Sequence, residues 1–184
     1  MKKILLLVHY PQELDKFAPI LKKLAPNYEI HAVYDTEIKL SNTDKWTPPC
    51  PMTLYHVGVP NRPWWYILAR HCDDYRFYRS MPNQSQYYKD RALKSYGRYR
   101  PFVRMPLGWL KYFYRPPSYV FDHIGQINSS LVLTTSLAFP PLHIQTEYCL
   151  AAQCLGIPVI SMIPNHDALT TKSNIFPIPD RLLV

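Results

Sequence analysis

Hydrophobic and polar positions fall into blocks along this chain. It opens with KKILLLVHY, in which Ile4 to Val8 form an unbroken aliphatic run. Such a run predicts a strand covered on both faces, as in a parallel sheet. PQELDKFAPILKKLAP follows, with Leu14, Phe17, Ile20, Leu21 and Leu24 at helical spacing and Pro11 suited to a first turn. Pro19 lies inside that pattern, where a proline should kink the helix or remove a hydrogen bond. YEIHAVYD predicts a second strand through Ile30, Ala32, Val33 and Tyr34, which completes a βαβ unit with a right-handed crossover.

The pattern then loosens. Residues 35–52 form a polar, Pro-rich loop, and MTLYHVGVP predicts a short third strand. Helix is expected over 62–80 and 84–114, interrupted at Pro82, Pro101 and Pro106. Regular blocks return with SYVFDHIGQIN as a helix and SSLVLTTS as a strand. HIQTEYCLAAQCLG is then a helix closed by Gly156, IPVISMI a strand, PNHDALTTK a turn and PDRLLV a last strand. On the Gly156 helix, spacing predicts a buried stripe of Leu150, Ala151 and Cys154 that Glu147 joins. The fold class is therefore α/β: one Rossmann-like domain over 1–184, a doubly wound parallel sheet with a helical insert at 62–117.

Charge sharpens that division. The insert carries twelve Lys and Arg against three Asp, and 15 of the 26 aromatic residues, whereas the rest of the chain holds nine cations against ten acids. No stretch approaches the ~18 apolar residues of a membrane span. The N-terminal apolar run is shorter than the ~7–15 residues of a signal peptide's core and lacks a small-residue cleavage site, so a cytoplasmic location is expected. Cys50, Cys72, Cys149 and Cys154 form no CxxC pair and read as free thiols rather than zinc ligands. The five glycines never cluster, so neither a dinucleotide fingerprint nor a phosphate loop is present, and no cofactor is expected in this domain.

EYCLAAQCLGIPVISMIPNHDALTTKSNIFPIPDRLLV resembles the N-terminal domain of a GT-B-like family that makes bacterial surface carbohydrates. Its members include glycosyltransferases and CDP-glycerol glycerophosphotransferases. The family pattern is a Glu-bearing helix, an LGIP strand start, a Ser-Trp-Asp-Asn-Leu-Thr-Thr-Lys-Gly turn and a closing PDR-type strand. Here Glu147, LGIPVIS, NHDALTTKS and PDRLLV stand in those places. His166, Ala168 and Ser173 replace the family's Trp, Asn and Gly, while Asp167, Leu169, Thr170, Thr171 and Lys172 are kept. The opening KKILLLVHYPQELDKFAPILKKL is also similar to the first unit of GT-B proteins and of non-hydrolysing sugar epimerases.

The resemblance implies that this half binds a sugar or lipid-linked acceptor. It also implies a donor-binding half, after Val184 or on a partner subunit, that takes a nucleotide-activated sugar or CDP-glycerol as co-substrate. A non-catalytic partner module and half of a UDP-sugar 2-epimerase are the alternatives.

Several residues are candidates for chemistry. His9 closes the first strand, at the edge where doubly wound sheets bind ligands, and suits a general base. The alternative is a satisfied loop histidine, or one that caps the next helix. His166 follows the IPVISMI strand at the same edge and is a second candidate base, and Asp167 beside it either lines the cleft or caps the turn. Thr170 and Lys172 could meet a phosphate or an anionic sugar, or be solvated. Glu147 either faces the cleft, as the resemblance implies, or is buried against an Arg or a backbone N–H. No spaced acidic pair suggests a metal-dependent donor site.

The insert has three readings. One is docking of Trp64, Trp65, Arg104, Trp109, Lys111 and Arg115 on an anionic membrane surface, which would make the protein peripheral at the inner face. A second is an aromatic helical core with a solvated basic face, and the least favoured is nucleic-acid binding.

Overall fold

The computed structural model describes residues 1–35, 46–80, 90, 93–94, 106–135, 144–162 and 175–183. Six parallel strands make one sheet in the order β3-β2-β1-β4-β5-β6. They are β1 (Lys2–Val8), β2 (Tyr28–Tyr34), β3 (Thr53–His56), β4 (Leu131–Thr134), β5 (Val159–Met162) and β6 (Arg181–Leu183). That order reverses direction between β1 and β4, so the fold is the expected Rossmann-like doubly wound α/β class.

The β1 run is apolar throughout because it is covered twice. Leu5 and Leu7 enter a core with Val33, Val120, Ile124, Tyr148 and Ala152, while Ile4, Leu6 and Val8 enter another with Leu14, Phe17, Leu21 and Ile30. The first core lies under helices α3 (Ser118–Ile127) and α4 (Gln145–Cys154), and the second under the segment that follows β1. That segment corrects one expectation. It is not one kinked helix but a 3-10 turn, Pro11–Phe17, followed by helix α1, Ala18–Leu24. Phe17, at φ −103° and ψ 3°, breaks the helix, so Pro19 falls in the first turn of α1. There the missing N–H has no intrahelical partner to lose.

Gly156 ends α4 at φ +71°, the left-handed conformation expected of it. On α4 Glu147 and Ala151 are buried as expected, together with Tyr148, Cys149 and Ala152, whereas Leu150 is half-buried and Cys154, the last residue of the helix, is exposed. The insert supplies α2 (Trp64–Ser80) and a 3-10 helix over Pro106–Phe113. The proline expected to interrupt a long helix instead starts this shorter one. Gly108 permits its close approach to α2, since a Cβ there would lie 3.3 Å from Asp73 Oδ1 and 3.4 Å from Arg76 Nη1.

Replacing Pro19 with Ala tests the helix break. With Pro19 in a first turn, Ala should leave stability unchanged or lower it by up to about 1 kcal/mol in urea unfolding. In one continuous helix, Ala would instead stabilise by about 3 kcal/mol.

Candidate functional site

The register Val8↔Tyr34 between β1 and β2 places the next residues, His9 and Asp35, side by side at the carboxyl edge of the sheet. Their side chains meet: His9 Nδ1 lies 2.7 Å from Asp35 Oδ1. Asp35's side chain is fully buried, and its Oδ2 accepts from the backbone N–H of Ile144 at 2.8 Å. A buried carboxylate needs such partners. An ionised Asp35 can only accept, and in that state Nδ1 carries the shared proton. In the neutral imidazole this puts the lone pair on Nε2.

Glu13, in the turn after β1, fixes the backbone here. Its Oε2 accepts from the His9 N–H at 2.8 Å and from Thr135 Oγ1 at 3.3 Å. Thr134 Oγ1 and the Thr135 N–H both donate to Gln145 Oε1, at 2.5 and 3.2 Å, which ties the end of β4 to the start of α4. The polar web therefore spans β1 and β4, the two strands between which the sheet reverses. Ligands of doubly wound sheets enter at that place. His9 is only partly covered there, with 31% of its side chain exposed.

In the first turn of α4, Glu147 is fully buried and paired with Arg62, Nε to Oε1 at 2.5 Å and Nη2 to Oε2 at 2.7 Å. Tyr114 donates to Oε1 at 3.2 Å and stacks on Tyr66, ring centroids 4.1 Å apart. Of the two readings of Glu147, the geometry is that of the buried Arg pair, and it fastens the insert to the core. Burial alone would lower the Arg62 pKa, but Glu147's hydrogen bonds and charge outweigh it and the pKa is raised. Burial likewise pushes the Tyr66 phenol up to about 12, against the pull of Arg70.

The insert's other candidates divide. Trp64, Trp109 and Arg115 are exposed. Trp65 is half-buried against Tyr66 and Tyr114. Lys111 turns inward to Asp73 and lies 5.0 Å from the centre of the Phe176 ring, so it cannot face a surface. Arg104, His166, Asp167, Thr170 and Lys172 lie outside the described residues. Sequence reasoning missed Asp35, Glu13 and Thr135. An acid directly after a buried strand was the available signal for Asp35.

Under α3 a second polar group is packed. His31 Nδ1 lies 3.1 Å from the Tyr55 hydroxyl and its Nε2 2.9 Å from Glu29. The Tyr55 ring meets His123 edge-on at 4.9 Å, and His123 Nδ1 lies 2.5 Å from the Tyr148 hydroxyl.

No protein-family model matches this chain, and no curated protein matches it. Solved structures with similar traces include two glycosyltransferases. One is a UDP-glucosyltransferase from Polygonum tinctorium in complex with 3,4-dichloroaniline, at 12% identity and a TM-score of 0.42, covering 88% of this chain and 29% of its own. The other is MurG from Acinetobacter baumannii, at 11% identity and a TM-score of 0.43, covering 100% of this chain and 45% of its own. This chain thus spans less than half the length of either, and at such distance neither likeness bears on what it does.

Two outcomes follow from these contacts. Glu147→Ala should cost about 3–5 kcal/mol in urea unfolding, because it strands the Arg62 charge, while the double change Arg62→Met with Glu147→Leu should recover most of that loss. Separately, burial and then the charge of His31 lower the His123 pKa. The unfolded chain therefore binds its proton first, and stability falls as pH drops below about 6.5. Thermal melts from pH 7 to 5 should show a shallower decline in Tm for His123→Gln than for the parent.

Proposed function

We propose that this domain is the acceptor-binding half of a transferase of cell-surface carbohydrate synthesis, with His9 as the base that activates the acceptor. One observation carries the reading: an imidazole held at Nδ1 by a buried carboxylate, at the point where the sheet reverses. In that role Nε2 takes the proton of an acceptor hydroxyl as its oxygen attacks the activated carbon of a nucleotide sugar, and the nucleoside diphosphate departs. With CDP-glycerol the oxygen attacks phosphorus and CMP departs. Asp35 stabilises the imidazolium that forms, and Glu13 and Thr135 hold the backbone on either side.

The donor belongs to a second domain or partner subunit, in keeping with a sequence that has no clustered glycines to approach a phosphate. His166, Asp167, Thr170 and Lys172 are the turn residues that the family resemblance would bring to the same cleft.

With the donor-binding half present, transfer is measured from nucleotide sugars and from CDP-glycerol. His9→Ala should lower kcat by about 10²- to 10⁴-fold. Asp35→Asn should act in the same direction while the acceptor KM changes little. Unchanged rates would leave a non-catalytic binding module. Calorimetry of residues 1–184 alone should give a Kd for nucleotide sugars weaker than about 1 mM, and tight binding would contradict the division of labour.

A further inference from the structure

The 3-10 helix Pro106–Phe113 presents an aromatic face that nothing among the described residues covers. Trp109 is 71% exposed, Tyr112 64% and Phe113 74%. Residues three apart on a 3-10 helix share a side, so Trp109 and Tyr112 stand together. These rings are mounted rigidly from behind. Lys111 pairs with Asp73 of α2, Tyr114 stacks on Tyr66 and bonds Glu147, and the Tyr112 edge meets Phe176 at 5.6 Å. Large apolar rings held out into water on a braced helix mark a contact surface.

Charge identifies what the surface fits. The insert carries twelve cations and three acids, and although the side chains of Arg62, Arg70 and Lys111 are buried, Arg115 is exposed two residues beyond Phe113. A second copy of the chain would bring two such basic segments together, which their repulsion opposes. An anionic lipid surface instead attracts them, and Trp and Tyr favour its headgroup layer.

We propose that Trp109, Tyr112 and Phe113 are a peripheral docking face for an anionic bilayer. Among the described residues no helix is long and apolar enough to cross a membrane, so the contact is interfacial. Its position gives it use. Ile144, the N-cap of α4, bonds Asp35, and Glu147, in the first turn of α4, bonds Tyr114, so the docking helix is braced against the same helix end that holds the His9 pair. A lipid-linked acceptor would then meet the candidate base close to the membrane. That last link rests on the proposed function, whereas docking itself does not.

Sedimentation of the full chain with phosphatidylcholine vesicles, with and without 30% phosphatidylglycerol, tests the proposal. Partitioning onto the anionic vesicles should be at least about tenfold stronger, and should weaken severalfold in ~0.5 M salt. Trp109→Ala with Phe113→Ala should lower it about tenfold or more while the thermal melt stays unchanged, since both side chains are exposed. His9→Ala should dock normally, so a failure of the transfer reading leaves docking intact. Several results would overturn the proposal: no vesicle binding, binding indifferent to the double substitution, or a dimer or single-stranded oligonucleotide complex that the double substitution abolishes in place of vesicle binding.

Discussion

A buried carboxylate at the end of β2 is the constraint around which the carboxyl edge is arranged. Asp35 cannot stay ionised inside the fold without donors. It takes one from the start of α4, through the Ile144 N–H, and one from the His9 ring. Satisfying a single side chain therefore sets the approach of α4 to the sheet and the orientation of the imidazole. The β1–β2 register makes this possible, because Val8 opposite Tyr34 brings the following residues together. A slip of one residue would break the pair and turn every β2 side chain to the other face.

The same economy governs the insert. Glu147, on α4, is another buried carboxylate, and its partners, Arg62 and Tyr114, come from the two ends of the inserted segment. A bidentate Arg pair fixes geometry as well as charge. It draws the start of α2 and the end of the 3-10 helix onto the core, where Tyr66, Tyr114 and Phe176 close a small apolar cluster. One face of the insert is thereby internal, and among the described residues Trp64, Trp109, Tyr112 and Phe113 are left outside.

The centre of the sheet was legible in the sequence because β1, β4 and β5 are largely buried and so read as aliphatic runs, β1 above all. The Gly156 cap was legible because only a left-handed residue ends that helix without strain. Pro19 was misread as a blemish, since periodicity alone does not reveal that Phe17 breaks the helix just before it. Asp35 was passed over because pairing depends on register, which a sequence does not print. The basic insert misled in a similar way. Twelve cations suggest a charged surface, yet the side chains of Arg62, Arg70 and Lys111 are buried, and their acidic or aromatic partners, as Glu147 is to Arg62, can be far away in the chain.

The central claim is that Asp35 holds the His9 imidazole by Nδ1 and leaves Nε2 as the basic nitrogen. The ¹⁵N shifts of the His9 ring test it most directly, measured near pH ~9 where an imidazole is neutral. A proton on Nδ1 and an unprotonated Nε2, with the Nδ1–H form losing its dominance in Asp35→Asn, is the predicted result. A dominant Nε2–H tautomer, or equal populations of the two that Asp35→Asn does not alter, would contradict it.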